Sequence, residues 1–279
     1  MVDQDLQQLL ASVIANPDAD KPRQDYAEHL RSMGQIDRAK FIDLQLEIEQ
    51  RERGEDEDGL LRILQSEAHE ITQTHGKEFS SKEIPQEIRG RIGYNRGFIE
   101  IVGVTFPQLI SYGSEIVRYA PVRHLVIEPS NDSSVTSNFD LPCLREIRSL
   151  DFSFGILNDV DVDELSNSNY LSELRWLSLA NCQITENSLK SLANSEKLPQ
   201  LQWVGLAGTR VDYNERVEYV EWNRRIISRY MLRKATEFET DINKKLKWLR
   251  LPSEAQTLRD IPPDRFTCGN DFQNYQKYL

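Results

Sequence analysis

The sequence predicts a mixed α/β protein: a short solenoid of parallel strands with convex helices or loops, a helical domain before it and a helical cap after it. Three observations predict this fold. Apolar residues recur with one spacing between Val122 and Val211. Apolar stripes at helical spacing precede that region, and helical stripes return after Tyr213, where the repeat spacing is lost. With 279 residues, the chain is long enough for one large domain or two modest ones.

The central region repeats a short apolar block. In each block, apolar residues stand at positions i, i+3 and i+5, and the next block starts 25 to 27 residues later. The four blocks are Val122, Leu125 and Ile127; Ile147, Leu150 and Phe152; Leu174, Leu177 and Leu179; and Leu201, Val204 and Leu206. The third block continues to Cys182 and Ile184 and the fourth to Thr209 and Val211, which matches the template L-x-x-L-x-L-x-x-N/C-x-L. The spacing therefore predicts a leucine-rich-repeat array, which buries one edge of each strand in a shared core and leaves a curved surface free.

Three short amphipathic helices are predicted before residue 50. The first carries an apolar stripe and stops at Pro17. Asp20 is the predicted N-cap of the second helix, with Pro22 in its first turn and Gly34 at its end. Asp37 is predicted to cap the third helix. The inner-face residues are Leu6, Leu9, Leu10, Val13 and Ile14; then Tyr26, Ala27, Leu30 and Met33; then Phe41, Leu44, Gln45 and Ile48.

Residues 16–30, Gly34 and residues 38–45 are similar to the pattern P-x-D-D-x-P-R-x-x-Y-A-D-W-L followed by G-x-x-R-A-x-F-I-x-L-Q, with Glu28 and His29 in place of its Asp-Trp pair. In this pattern the sequence resembles the bacterial repeat-companion domain. Residues 96–100 and 120–125 are similar to the R-G-F and A-P-V-R-x-L stretches that often lead into leucine-rich repeats in these proteins. The resemblance implies a helical domain over residues 1–50 joined to a repeat arc, and it brings no assigned catalytic activity.

The remaining segments complete the predicted organisation. Residues 51–91 are an acidic connector, with the charged run Glu55 to Asp58, followed by a helix to about Gly76 and an irregular stretch. Residues 92–212 form the repeat arc, which starts with a capping strand. Residues 213–279 form a helical cap and an irregular tail, because the end of a solenoid exposes its core and needs a cover.

The residues between the repeated apolar positions are predicted to line the concave face of the arc. Side chains alternate along a strand, so those at i+2, i+4 and i+6 lie opposite the core. Neighbouring strands are about 4.8 Å apart, so Trp176 and Trp203 are expected to be adjacent and to stack. Two interpretations stay open: the indoles face a protein partner, or the C-terminal helix folds over them. The predicted partner-binding residues are Trp176, Trp203, His124, Asp151, Ser178 and Glu128.

Charge and composition argue against several classes of protein. The net charge of −11 opposes tight, non-specific binding to nucleic acid or to an anionic membrane. No apolar run approaches the roughly 20 residues that cross a bilayer, and the acidic N-terminus is unlike a secretory signal. Three widely spaced cysteines suit reduced thiols, so a cytoplasmic location is expected.

Residues 214–250 differ from the rest of the chain in charge. They hold ten Lys and Arg against six Asp and Glu on a predicted helix. A solvated helix face is the favoured interpretation of this basic stretch. The alternatives are a nucleic-acid contact, an acidic partner, or contact with the acidic half of the chain itself.

No motif nominates a catalytic or metal site. Asp159, Asp161 and Asp163 begin a D-x-D-x-D pattern, but a calcium loop needs Gly and Glu where Glu164 and Tyr170 stand. A solvated convex loop is favoured for this segment, with a short helix as the alternative. The four histidines lie on different elements and make no metal-binding spacing with the cysteines. The cysteine of the third block is expected to serve the repeat turn. No cofactor, metal or small-molecule substrate is therefore predicted.

The leading hypothesis is a non-catalytic module that binds a protein partner on the concave face, without nucleic acid or membrane. The alternative is a regulatory or inhibitory subunit that masks a partner enzyme or transcription factor in a bacterial signalling or defence pathway. Release would then follow displacement, or proteolysis at the acidic connector Glu55 to Asp58. A third hypothesis, from a different class, is a catalyst with an unrecognised site.

Overall fold

A computed structural model describes residues 4–53, 59–88, 91–130, 138–152, 157–179, 182–201 and 203–205. Within those residues the protein is mixed α/β, and its strands are mostly parallel. The helices are α1 (Gln4–Ala15), α2 (Asp20–Ser32), α3 (Ile36–Arg53), α4 (Leu61–Glu83), α5 (Phe106–Tyr119), α6 (Asp159–Ser166) and α7 (Glu186–Asn194). The strands are β1 (Ile92–Asn95), β2 (Phe98–Thr105), β3 (His124–Glu128), β4 (Ser149–Asp151), β5 (Trp176–Ser178) and β6 (Trp203–Gly205). A short 3-10 helix covers Pro142–Leu144.

The chain divides into two compact units. The first unit comprises Met1–Val102 and Ser111–Val122, and the second comprises Gly103–Ile110 and Arg123–Leu279. Helices α1 to α4 and strand β1 thus belong to one unit, whereas the sequence predicts boundaries at residues 50, 91 and 212. The predicted acidic run Glu55 to Asp58 and the predicted cap and tail, residues 213–279, lie outside the described residues.

The first unit begins with three packed helices at the predicted places. Helix α1 packs on α2, and α2 packs on α3. Their shared core consists of Val13, Ala27, Leu30, Ala39, Ile42, Leu46 and Phe98. Gly34 follows α2 with a φ of +77°, a left-handed conformation that glycine adopts without strain.

Three local predictions for these helices are wrong. Ala19, not Asp20, is the N-cap of α2, and Asp37 lies inside the first turn of α3. Both carboxylates still stand at the positive end of a helix dipole, where negative charge is favourable. Met33 is 43% exposed rather than inward-facing, because it is the C-cap of α2 and lies beyond the regular turns.

Helix α4 is longer than predicted, since it continues past Gly76 to Glu83. A glycine inside a helix costs about 1 kcal/mol relative to alanine. The residues after it offset that cost. Phe79 is buried with its ring 5.8 Å from that of Phe41, and Glu83 forms a buried ion pair with Arg38. The first part of the stretch predicted as irregular is therefore helical.

A tight turn at Arg96 and Gly97 joins β1 to β2. Both residues have positive φ, 46° and 84°, which is typical of the type I′ turns that connect antiparallel strands. Asn95 and Phe98 face each other across the turn. A Cβ atom on Gly97 would lie 2.6 Å from the Cα of Ile42 in α3, so a larger residue does not fit. The positive φ and the close approach to Ile42 explain why the R-G-F stretch has a glycine at position 97.

Buried charges tie α2 to this hairpin. Glu100 of β2 accepts hydrogen bonds from Arg23 of α2 at 2.5 Å and from Arg96 at 3.3 Å. Asn95 donates to the other carboxylate oxygen at 3.0 Å, and Arg96 also donates to the carbonyl of Pro17 at 2.5 Å. Arg23 is fully buried, and this desolvation lowers its pKa. A buried charge is tolerated only with such partners, so these arginines have a structural role.

The described part of the second unit contains four parallel strands, β3 to β6, that pair side by side. Their register places His124 opposite Ser149, Ser149 opposite Trp176, and Trp176 opposite Trp203. These are the strand neighbours that the 25-to-27-residue spacing predicts, so that prediction is confirmed.

The apolar positions of the four blocks are buried, as predicted. Exposed fractions lie between 0% and 9% for Val122, Leu125, Ile127, Ile147, Leu150, Phe152, Leu174, Leu177, Leu179, Leu201 and Val204. Leu206 lies outside the described residues. The spacing i, i+3 and i+5 therefore marks buried apolar positions.

The D-x-D-x-D segment is helical, so of the two forms expected there, a solvated loop or a short helix, the short helix is the one formed. Asp161 completes a capping box at the start of α6. Asp159 accepts hydrogen bonds from the backbone N–H of Thr185 at 2.8 Å and from its hydroxyl at 2.6 Å, at the start of α7. Asp163 accepts from the hydroxyl of Ser191 at 2.7 Å. The three carboxylates thus cap α6 or link it to α7.

Candidate functional site

The candidate site is the side of the parallel strands opposite the apolar core, which we call the outward face. Alternation along each strand places every second side chain on it. Its members on β3, β4 and β5 are His124 and Val126, Ser149 and Asp151, and Trp176 and Ser178. Because the strands pair in register, these residues form two rows with about 4.8 Å between neighbouring strands.

The outward face is buried. The exposed fraction is 1% for Ser149 and Asp151, 3% for Ser178, 4% for His124, and 9% for Val126 and Trp176. At Trp176 the sequence leaves exposure to a partner and cover by another part of the chain open. At the other positions it predicts an open concave surface, and their burial contradicts that openness. Parallel strands are commonly covered on both faces, and the element that covers the second face is not encoded in the strand itself. Contact of these residues with a partner stays a prediction.

Two of the predicted partner-binding residues stand apart from the buried rows. Glu128 ends β3 and is half-buried. The backbone of Trp203 lies beside that of Trp176, as predicted, but its side chain is outside the described residues. The stacking of the two indoles therefore stays a prediction. The same holds for the helix expected to fold over them.

The outward face combines hydrogen-bonding groups with one large aromatic ring. A carboxylate as buried as that of Asp151 needs hydrogen-bond donors or a cation, because an unpaired buried charge costs several kcal/mol. His124, Asp151, Trp176 and Ser178 each take part in a further polar, ring or electrostatic contact.

Ser149, His124 and Asp151 are residue types that also serve acyl transfer. The register places His124 directly opposite Ser149. Ser149 is only 1% exposed, however, so a substrate has no access to its hydroxyl while the face is covered. Nucleophilic catalysis requires that access together with an aligned base. The burial of Ser149 therefore gives no support for nucleophilic catalysis at this position.

One row of side chains was missed by the sequence reasoning. Arg123, Arg148 and Arg175 stand one residue after the start of three successive blocks, immediately before β3, β4 and β5. Arg123 is 4% exposed and donates to the carbonyl of Glu146 at 3.4 Å, with the Glu146 carboxylate 3.8 Å away. The signal was present as a recurring arginine at position i+1. The Glu146 contacts support a structural role for Arg123.

Thiol and metal chemistry find little support at the described positions. Cys143 and Cys182 are buried free thiols, and burial raises the pKa of Cys143 to about 11, away from the thiolate range. The Cys182 thiol donates to the carbonyl of Phe152 at 3.3 Å, consistent with a role in the repeat turn. Among the described residues, no group of three or more His, Cys, Asp or Glu is placed to hold a metal ion. No helix in the described ranges is long and apolar enough to span a membrane.

Comparison with known proteins leaves the site to be interpreted from its own geometry. No family model matches the chain, and no curated protein and no solved structure shows significant similarity to it.

Proposed function

We propose that the second unit is a short leucine-rich-repeat solenoid and that the protein is a non-catalytic module that binds a protein partner on the outward face. The observation that carries this proposal is the register. It sets His124, Ser149, Trp176 and Trp203 side by side on successive parallel strands. Side chains repeated on a rigid row present several contacts at fixed spacing, which suits a polypeptide ligand better than a small molecule.

The composition of the outward face supports a protein partner. Tryptophan is enriched among the interface residues that carry most of the binding energy, and Trp176 pairs with Ser149 on one side and with Trp203 on the other in the strand register. Asp151 and Ser178 add hydrogen-bonding groups next to it. An aromatic anchor beside polar groups is a common arrangement at protein interfaces.

In this proposal the first unit is a repeat-companion domain that acts in a reducing compartment such as the cytoplasm. The assignment of the first unit as a repeat-companion domain is supported by the positions that carry the resemblance. Arg23 and Arg38 are buried ion-pair partners, and Gly97 fills a place where no side chain fits. The free thiols Cys143 and Cys182 support a reducing compartment.

The test uses the full-length chain, immobilised and incubated with an extract of the native host, with recovered proteins quantified by mass spectrometry. Trp176→Ala is expected to weaken partner binding about thirtyfold, because truncation of an interface tryptophan costs about 2 kcal/mol or more. Asp151→Asn keeps the side-chain shape and is expected to weaken binding as well. Val160→Ala is the matched control, since Val160 is 67% exposed and stands on α6 rather than on a strand of the outward face.

Circular dichroism of each variant separates loss of binding from loss of structure. If both outward-face variants stay folded and recover every protein as well as the original chain does, the proposal is wrong. A partner that depends on Trp176 and Asp151 but not on Val160 supports it.

A regulatory or inhibitory subunit is the second candidate function. The observation that favours it is the burial of the outward face, because a covered site has to be opened before a partner enzyme or transcription factor binds there. Assay of a recovered enzyme partner with and without this protein distinguishes the two functions. If the partner's activity is unchanged at a saturating concentration of this protein, the regulatory function is excluded. The interaction module is then the function that remains.

A further inference from the structure

Three arginines lie side by side where the parallel strands begin, and we call this row the strand-entry edge. Its members, Arg123, Arg148 and Arg175, immediately precede β3, β4 and β5. The backbone N–H of Arg148 donates to the carbonyl of Arg123 at 2.8 Å, and that of Arg175 donates to the carbonyl of Arg148 at 2.8 Å. Like charges on neighbouring strands destabilise a sheet, so such a row is favoured only with anions beside it.

The first arginine of the strand-entry edge has its anion within the chain. Glu146 stands one residue before the second block, and its carboxylate lies 3.8 Å from the Arg123 guanidinium. The carbonyl of Glu146 also accepts a hydrogen bond from Arg123 at 3.4 Å. Because Arg123 is only 4% exposed, little of this side chain is left for a partner.

Arg175 differs from Arg123 in both respects. It is half-buried, so part of the residue stays accessible. Its Nε is buried without a hydrogen-bond partner, and no described residue forms an ion pair with its guanidinium. A buried donor without an acceptor is costly, and native structures seldom keep one without a reason. Arg175 therefore lacks an anion where Arg123 has one.

The sequence accounts for this difference between the two arginines. Glu146 and Glu173 each stand one residue before the first apolar position of their blocks. The equivalent residue of the fourth block is Gln200, which carries no charge. Arg123 pairs with the glutamate of the next block, whereas the block that follows Arg175 offers an amide at that position.

We propose that the strand-entry edge docks an acidic side chain of the protein partner and that Arg175 binds its carboxylate. A guanidinium presents its donors in a planar fork that matches a carboxylate. Arg175 also immediately precedes Trp176, and arginine and tryptophan are the residue types enriched where binding energy concentrates. The inference rests on the proposed function, because it names the chemistry that the partner presents to the second unit.

The strand-entry edge suits a single carboxylate better than a chain of phosphates. Glu146 and Glu173 each stand two residues before an arginine of the edge, and the whole chain carries a net charge of −11. A nucleic acid would bring phosphates close to these carboxylates as well as to the arginines, and the net charge opposes its approach. An acidic side chain on a polypeptide meets the arginine without that penalty.

Two matched substitutions test whether Arg175 serves the fold or a partner. Methionine keeps much of the aliphatic stem of an arginine and removes its charge. Arg123→Met is expected to lower the midpoint of thermal unfolding, because it removes the contacts to Glu146. Arg175→Met is expected to leave the midpoint unchanged or to raise it, because it removes a buried donor without an acceptor. Equal losses in the two variants would show that Arg175 is structural and overturn the proposal.

Partner recovery tests the docking itself. The full-length chain is immobilised and incubated with an extract of the native host, and the recovered partner is quantified by mass spectrometry. Arg175→Met is expected to lower its affinity about tenfold, and Arg175→Glu further, since attraction becomes repulsion. Lys77→Glu makes the same charge change at an exposed position of α4 and is the control. Equal recovery by Arg175→Glu and Lys77→Glu contradicts the proposal.

A charge exchange identifies the group that Arg175 binds. Acidic residues of the recovered partner are changed to lysine one at a time. One of these substitutions is expected to weaken binding to the original chain and to restore binding to the Arg175→Glu variant. The proposal is wrong if none restores binding, or if nuclease treatment of the extract abolishes recovery, which would identify nucleic acid as the ligand.

The inference and the proposed function fail separately. If a partner depends on Trp176 and Asp151 but not on Arg175, the proposed function stands and the inference fails. If a partner depends on Arg175 through a carboxylate and tolerates Trp176→Ala and Asp151→Asn, the inference stands and binding on the outward face fails.

Discussion

Arg38 and Glu83 form a buried ion pair that joins α3 to α4 in the first unit. The second carboxylate oxygen of Glu83 accepts a hydrogen bond from the backbone N–H of Ile99 at 3.2 Å, so the same side chain also holds β2. The Arg38 guanidinium lies 4.7 Å from the ring centre of Phe79 and 5.4 Å from that of Phe98. Burial raises the pKa of Glu83, while Arg38 and the Ile99 N–H oppose that rise. One carboxylate thus connects two helices and a strand.

Removing the charge of Glu83 is expected to destabilise the first unit strongly. Glu83→Gln preserves the side-chain shape but leaves Arg38 buried without a counter-ion. The expected loss is about 3–5 kcal/mol, the range found when one partner of a buried ion pair is removed. Hydrogen exchange of α3 peptides at increasing urea concentration measures it.

A second variant on the same helix serves as the control for that prediction. Glu78 pairs with Lys82 at 2.8 Å, and both side chains are exposed. Glu78→Gln is expected to leave the exchange of α3 unchanged, because exposed pairs contribute little. Equal effects of the two substitutions would show that the Arg38–Glu83 pair does not hold α3.

Gly97→Ala is expected to destabilise the first unit much more than Gly34→Ala. Both glycines have a positive φ, which costs an alanine about 1 kcal/mol or more. Only Gly97 is also in close approach: its added methyl group would meet the Cα of Ile42 at 2.6 Å, whereas that of Gly34 meets nothing within 4 Å. The expected losses are about 3 kcal/mol and about 1 kcal/mol. Thermal unfolding compares them, and equal losses would mean that α3 shifts to admit the methyl group.

The apolar spacing of the sequence was sufficient to predict strand order and register, because it repeats in every block and its period matches one strand per block. It placed Leu177 in the core and the backbones of Trp176 and Trp203 side by side. The spacing did not predict the burial of Asp151, since that depends on residues far from its strand.

In the helical domain, too, the sequence pattern does not predict burial that depends on distant residues. A pattern of apolar residues places charged side chains outside, so it predicts neither the burial of Arg23 and Arg38 nor their buried carboxylate partners. The low helix propensity of Gly76 predicts the end of a helix there, yet burial of Phe79 beyond it outweighs that preference. Long-range packing decided each of these cases.

Asp159 is expected to contribute to the stability of the second unit in a pH-dependent way. Burial by itself would raise its pKa, but hydrogen bonds from Ser188 and Thr185 lower it below the usual value of 3.8. A carboxylate with a lowered folded-state pKa stabilises the fold above its unfolded pKa, and this contribution is lost as the pH falls through the folded pKa.

Asp159→Asn is therefore expected to lower stability above about pH 4, with a gap to the original chain that narrows at lower pH. Urea unfolding of both proteins between about pH 2 and pH 7, followed by hydrogen exchange of α7 peptides, measures the gap. If the difference in free energy of unfolding stays constant over this range, the ionised form of Asp159 does not stabilise α7.

Leu177→Ala tests whether the parallel strands act as one packed row. Leu177 is fully buried and stands in register between Leu150 and Val204, so its truncation leaves a cavity between neighbouring rungs. The expected loss is about 2–5 kcal/mol, and the protection of the β4 and β5 amides against hydrogen exchange should fall with it. Val160→Ala, at a position 67% exposed, is the control and should change stability by no more than about 0.5 kcal/mol. If β5 loses protection while β4 keeps it, the strands open one at a time and the rows of the outward face are not rigid, which would remove the fixed spacing on which recognition of a protein partner depends.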